Sequence, residues 1–175
     1  MSVAFLSLGS NLGDRIAHLQ FAISALGALA GTRIEAVSDL YETEPWGVAD
    51  QPAFLNLCLR LETDLSPYAL LDALLQIERA AGRERRERWG ARTLDMDILT
   101  YDMIEITDAR LTLPHARMLQ RSFVLKPLSW LCPDLVVNSV PIAKALAELG
   151  EAGIVRVGRL PEKLAVGGGA CDGPN

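Results

Sequence analysis

The sequence is poor in the residues that build the commonest metal and redox sites. Histidine occurs twice, at His18 and His115, and cysteine three times, at Cys58, Cys132 and Cys171. Neither Cys-x-x-Cys nor His-Glu-x-x-His is present, so a zinc site lacks a ligand set. Three scattered cysteines are no disulfide framework and point to a reducing compartment. No run is long and apolar enough to span a bilayer, which excludes a membrane-spanning helix. The first residues show neither a basic region nor a cleavage site, so the cytoplasm is the expected location. Positive charge is in deficit: 17 Lys and Arg against 22 Asp and Glu give a net charge of −5. That balance argues against general nucleic-acid binding. Both common glycine-rich phosphate loops, Gly-x-x-x-x-Gly-Lys-Ser/Thr and Gly-x-Gly-x-x-Gly, are missing, and no internal repeat is visible.

What is present reads as one soluble domain. The chain has 175 residues, of which 50% are hydrophobic and 22% charged, enough for a substantial core. The expected division is a single domain over residues 1–159 and a flexible tail over 160–175, where Gly167-Gly168-Gly169 and Gly173-Pro174 lie. Val3 to Leu8 is an apolar run that turns at Gly9-Ser10-Asn11, and Ile16, Leu19, Ile23 and Leu26 follow with helical spacing. Thr32 to Thr43 predicts a second strand, and Phe54 to Thr63 a third. In the third, Leu55, Leu57, Leu59 and Leu61 alternate with Phe54, Asn56, Cys58 and Arg60. Ser66-Pro67 caps a helix lined by Leu70, Leu71, Leu74 and Ile77 and stopped by Gly82. A strand over 94–101, a short hairpin over Asp102 to Leu113, a helix from Arg117 to Leu131 bent at Pro127, a helix over Pro141 to Leu149 and a last strand at Ile154 to Val157 complete the order. The predicted class is α+β, a ferredoxin-like βαββαβ sandwich with an extra C-terminal hairpin and helices.

Chemistry concentrates between Arg83 and Asp97, which reads Arg-Glu-Arg-Arg-Glu-Arg-Trp-Gly-Ala-Arg-Thr-Leu-Asp-Met-Asp. Alternation on a strand puts Asp95 and Asp97 on one face, roughly 6–7 Å apart at the Cα level. At an effective dielectric of about 20 their repulsion is about 2–3 kcal/mol, and a bridging divalent cation reverses its sign. A solvated strand face is the plainer explanation of such a pair. Two features oppose it: aspartate is disfavoured in strands, and a block of guanidinium groups suited to polyphosphate lies just upstream. Hard carboxylate oxygens beside a phosphate-binding block favour Mg²⁺. Elsewhere, Phe54 and Asn56 on one face can stack a flat ring and hydrogen-bond its edge, or merely half-bury an aromatic beside an amide. His115 and Arg121 are spaced to reach a common anion.

Taken together the motifs resemble 6-hydroxymethyl-7,8-dihydropterin pyrophosphokinases of folate biosynthesis. The resemblance covers about residues 3–140. It rests on Gly9-Ser10-Asn11-Leu12-Gly13, Tyr41-x-Thr43-x-Pro45-x-Gly47, Gln51-Pro52-x-Phe54-Leu55-Asn56, Ile77-Glu78 with Gly82-Arg83, and above all Arg88-Trp89-Gly90-x-Arg92-Thr93-Leu94-Asp95-Met96-Asp97-Ile98-Leu99. Leu113-Pro114-His115 and Arg121-x-Phe123-Val124-Leu125-x-Pro127-Leu128 complete the set. The resemblance implies transfer of pyrophosphate from ATP to the pterin's hydroxymethyl oxygen, with release of AMP. It also implies two Mg²⁺ ions on Asp95 and Asp97, and catalytic arginines Arg83 and Arg92. The implied ATP site is Glu78, Arg85, Trp89, Arg92, Ile98, Arg110, Thr112, His115 and Arg121. The implied pterin site is Thr43, Pro45, Trp46, Gly47, Phe54, Asn56, Asp95 and Phe123. The expected partners are these small molecules alone, without nucleic acid or membrane, and a monomer is expected.

The chain departs from the family pattern at Ala91, where proline is common, at Phe54, where tyrosine occurs, and at Trp46, where an aliphatic residue is usual. Two other readings compete: a non-catalytic nucleotide- or RNA-binding module, and a different Mg²⁺-dependent transferase on the same fold. The first wants an aromatic strand motif and a basic face, neither of which the sequence carries.

Overall fold

The centre of the fold is a strand pair made from the two longest extended runs of the chain, β1 (Ser2–Ser10) and β4 (Phe54–Thr63). They run antiparallel in register from Ser2 opposite Thr63 to Ser10 opposite Leu55. The computed structural model describes residues 1–44, 50–82 and 93–162. Between the two strands lie α1 (Arg15–Gly27), β2 (Thr32–Val37) and β3 (Leu40–Thr43). After them come α2 (Pro67–Ala80), β5 (Asp95–Tyr101) and the hairpin β6 (Ile106–Thr107) and β7 (Thr112–Leu113). A 3₁₀ turn at Met118–Gln120 leads into α3 (Ser122–Leu131). The hairpin β8 (Val136–Val137) and β9 (Val140–Pro141), α4 (Ile142–Leu149) and β10 (Ile154–Gly158) follow. The main sheet has six strands in the order β10-β3-β4-β1-β5, with β2 also on β4, and every pairing is antiparallel. The molecule is therefore a mixed α and β protein built on an antiparallel sheet.

Both faces of the sheet are covered, and strand alternation sorts the side chains between them. Leu55, Leu57, Leu59 and Leu61 of β4 join Leu6 and Leu8 of β1 in a core with Leu19, Leu26, Leu70 and Leu74 of α1 and α2. Phe5, Cys58 and Leu99 point the other way, into a second core with Val124, Leu125 and Leu128 of α3 and Ile142 and Leu146 of α4. The helices on the first face begin where the sequence signals them. Asp14 accepts the Ala17 N–H at 3.0 Å and Ser66 accepts that of Ala69 at 3.2 Å, with Pro67 at the first helical position; such caps contribute about 1 kcal/mol each.

Two predicted elements differ from the structure. The strand expected over Thr32 to Thr43 is interrupted. At the break the Ser38 N–H donates to the Cys58 carbonyl at 2.8 Å, and the Ser38 hydroxyl accepts the Cys58 N–H at 2.9 Å. A side-chain oxygen thus replaces a backbone carbonyl in the ladder, and β4 changes partner from β3 to β2 at that point. The helix expected from Arg117 to Leu131 is likewise divided, because Arg121 is extended at φ −121°, ψ 97° between the 3₁₀ turn and α3. Pro127 does sit inside α3, where it cannot donate to the Phe123 carbonyl. Beyond residue 162 the expected flexible tail lies outside the described residues. Within them, Leu160 packs on the first core and the Pro161 carbonyl accepts from Gln20 at 2.6 Å. Among the described residues no helix is long and apolar enough to cross a membrane.

Candidate active site

The second face of the sheet is covered by α3 and α4 over only part of its area, and at the uncovered end it forms the floor of a cleft of about 580 Å³. Adjacent strands supply the floor. Asp95 and Asp97 of β5 lie opposite Gly9 and Ser7 of β1, and Gly9 lies opposite Asn56 of β4. Thr43 of β3 lies opposite Phe54. The alternation that carries Leu94, Met96 and Ile98 into the first core therefore turns both aspartates into the cleft. The segment from His115 to Val124 forms a wall, contributing His115, Arg117, Gln120, Arg121, Phe123 and Val124.

Asp97 faces that wall directly. His115 Nε2 and Arg121 Nη1 lie 3.8 and 3.9 Å from Asp97 Oδ2. Burial is the main cause pushing the His115 imidazole down to about 4, with the Arg121 charge adding to it. At neutral pH the ring is thus uncharged, and its approach to Asp97 is a dipolar contact rather than an ion pair. The Arg117 N–H lies 3.2 Å from His115 Nδ1, so that nitrogen acts as acceptor and the ring proton sits on Nε2, on the side of Asp97. Arg121 supplies the fixed positive charge, and its guanidinium also lies 5.8 Å from the centre of the Phe123 ring.

Away from that wall, β3 and β4 line the cleft with Thr43, Phe54 and Asn56. Asn56, 4% exposed, donates through Nδ2 to Thr43 Oγ1 at 2.7 Å. Its Oδ1 would lie only 2.8 Å from a Cβ at position 9, with the Phe54 ring at 3.7 Å, so glycine is required there by close approach. The segment leading into β4 is tied to the β1–α1 turn. Asn11 donates to Gln51 Oε1 and to the Pro52 carbonyl, both at 3.2 Å, and Arg15 donates to the Ala53 carbonyl at 2.8 Å while pairing with Glu42 at 3.0 Å.

Of the residues expected from sequence, the cleft brings together Thr43, Phe54, Asn56, Asp95, Asp97, His115, Arg121 and Phe123. Its described lining does not include Glu78, Ile98, Arg110 or Thr112. Glu78 is buried and accepts the Met96 N–H at 2.7 Å. Ile98 is buried in the first core. Thr112 pairs with Thr107 in the small hairpin, and Arg110 binds Asp72 and lies over the Tyr68 ring. Pro45, Trp46, Gly47, Arg83, Arg85, Trp89 and Arg92 lie outside the described residues. Ser7, Gly9, Glu44, Arg117 and Gln120 line the cleft without having been singled out as ligands. For Ser7 the available signal was a lone hydroxyl inside an apolar strand, and for Gly9 a glycine at that strand's end.

Asp95 and Asp97 fit a divalent cation of the Mg²⁺ type. Two carboxylates share one face, open to the cleft, and such an ion keeps several waters and completes its shell from substrate phosphates. Among the described residues no group of three or more His, Cys, Asp or Glu side chains is arranged to enclose a metal.

Comparison with known proteins gives the chain a family. The family model for 7,8-dihydro-6-hydroxymethylpterin-pyrophosphokinase matches residues 5–133. The 2-amino-4-hydroxy-6-hydroxymethyldihydropteridine pyrophosphokinase of Methylorubrum extorquens is 46% identical over 157 residues, covering 90% of this chain and 99% of its own. The Bacillus subtilis protein of the same name is 44% identical over 134 residues, covering 77% and 80%. Among solved structures, Plasmodium falciparum HPPK-DHPS A437G with SDX-DHP superposes with a TM-score of 0.71 at 16% identity. That match covers 89% of this chain and 48% of the solved one, so this chain spans about half the length of that relative and shares its fold.

Proposed function

Because the chain belongs to the 7,8-dihydro-6-hydroxymethylpterin-pyrophosphokinase family, and is a transferase of that kind in folate biosynthesis, we propose that it moves pyrophosphate from ATP to the hydroxymethyl oxygen of 6-hydroxymethyl-7,8-dihydropterin, in a Mg²⁺-dependent reaction that leaves AMP. The carrying observation is that both aspartates open into one cleft that also holds cationic, aromatic and amide side chains. The wall carries Arg121, Arg117 and His115 together with the Phe123 ring, and β4 brings the Phe54 ring and the Asn56 amide to the floor.

Phosphoryl-type transfer asks a protein chiefly to position groups and to balance charge. Asp95 and Asp97 would hold the metal, two ions on the family's pattern, and the bound metal would neutralise triphosphate oxygens and orient the acceptor hydroxyl. Arg121 places a permanent positive charge 3.9 Å from Asp97, where phosphate oxygens arrive. His115 presents a neutral Nε2–H beside it, a donor that adds no proton-dependent charge near neutral pH. Asn56, held by its hydrogen bond to Thr43, offers hydrogen bonds in the plane of a flat heterocycle, and Phe54 and Phe123 would cover its faces. Arg83 and Arg92, in the segment outside the described residues, are the expected cations for the transferring group. Burial of the reactants between these walls would exclude water and limit hydrolysis of ATP.

The architecture supports the same reading. With β2 and β3 counted as one interrupted strand, the order β3-β4-β1-β5 is consistent with a ferredoxin-like βαββαβ unit, with β10 added beside β3. The test is direct: purified protein supplied with Mg²⁺, ATP and the hydroxymethyl dihydropterin should release AMP and the pterin diphosphate. Release of ADP, or turnover that ignores the pterin, overturns the proposal. Calorimetric titration with the dihydropterin and a non-hydrolysable ATP analogue separates it from another Mg²⁺-dependent transferase on this fold.

A further inference from the structure

β5 is the terminal strand of the sheet as described, paired with β1 on one edge only. Backbone groups of an antiparallel strand point alternately to its two edges. The Met96 N–H leaves the sheet, so by that alternation the groups of Asp95 and Asp97 on either side of it face Gly9 and Ser7 of β1. An edge amide in a buried position needs a partner. Here the partner is the Glu78 carboxylate, 2.7 Å away.

Glu78 sits at an unusual place for a carboxylate. It lies in the last turn of α2, where the partial negative charge of the helix end opposes a carboxylate, and it is 2% exposed. Burial of a carboxylate there is costly unless a donor of fixed position meets it. The Met96 N–H is such a donor, and it belongs to the one residue whose backbone joins both candidate metal ligands.

We propose that Glu78 is a positioning residue: it takes the place of a missing neighbouring strand at Met96 and so fixes the angle at which Asp95 and Asp97 leave the sheet. The inference rests on the pyrophosphokinase reading of those aspartates, but the hydrogen bond itself is tested apart from activity. Two variants separate acceptor from charge. Glu78→Met keeps the length of the side chain and removes the acceptor, whereas Glu78→Gln keeps an acceptor and removes the charge. Amide hydrogen exchange resolved at Met96 should quicken by roughly tenfold or more in the Met variant and stay close to wild type in the Gln variant. In steady state the Mg²⁺ concentration for half-maximal rate should rise roughly tenfold or more in the Met variant, with KM for the pterin unchanged and the Gln variant restoring it. Unchanged exchange at Met96 in Glu78→Met overturns the proposal. So does a Gln variant as impaired as the Met variant, or a rise in KM for ATP without a changed Mg²⁺ requirement, which would mark a nucleotide contact instead. A wild-type enzyme without pterin-dependent turnover would sink the functional reading alone, since the exchange result stands without it.

Discussion

His115 should make the free protein lose stability on acidification, before most carboxylates titrate. Its side chain is 22% exposed, and its burial beside Arg121 takes it from an ordinary 6.5 to about 4 in the folded state. Between those values the unfolded chain binds the proton and the folded chain does not, so stability is full above pH 6.5 and falls as the pH drops toward 4. At about 1.4 kcal/mol per pH unit the complete window corresponds to about 3 kcal/mol. By pH 5 roughly 2 kcal/mol of it is already gone. The measurement is urea unfolding of wild type and His115→Gln in EDTA at pH 7.5, 6.5, 5.5 and 5.0. The wild type should lose about 2 kcal/mol more than the variant across that range, while m-values stay equal. Parallel profiles, within about 0.5 kcal/mol by the ordinary scatter of such comparisons, would refute the argument that this ring is held neutral beside Asp97.

Other outcomes follow from the same geometry. Asp97→Ala should lower turnover by roughly a hundredfold or more while the fold survives; near-normal rates by an AMP-release assay would remove the metal role from this carboxylate. Gly9→Ala forces a methyl to within 2.8 Å of Asn56 Oδ1. It should cost about 1–3 kcal/mol of stability and weaken binding of the dihydropterin more than that of the ATP analogue, as read by calorimetry. Leu59→Ala, at a position with no exposure in the first core, should lower unfolding free energy by about 2–5 kcal/mol and leave KM for both substrates close to wild type.

The elements that sequence made plain are those whose signals are local. β4 is legible because its leucines alternate without a break, and α2 because Ser66, Pro67 and the leucine spacing agree. The interruption at Ser38 was hidden, since it depends on a hydroxyl meeting the Cys58 amide from a strand 20 residues away. The extended conformation of Arg121 was hidden too: no capping side chain announces the start of α3. The β8–β9 hairpin carries a local signal of its own. Asn138 and Ser139, at φ 49° and 63°, form a two-residue turn between Val-Val and Val-Pro. In the site, Asp95, Asp97, Asn56, Phe54, His115 and Arg121 were accessible through alternation and motif. Ser7, Gly9, Arg117 and Gln120 needed the strand order and the path of the 115–124 segment before they could be assigned to one cleft. Glu78 was legible as a residue of interest, whereas its partner, 18 positions on, was not.

The change of partner along β4 has a mechanical consequence. Its last residues belong to a stiff corner, where Arg33 bridges Glu35 and Glu62 and the hydroxyls of Thr32 and Thr63 meet at 2.7 Å. Its first residues belong to β3, which Arg156 of β10 anchors from behind through Asp39 at 2.6 Å. The seam at Ser38 thus interrupts one edge of β4 only; along the other, β1 is paired with it from end to end and keeps Asn56 in line with Gly9.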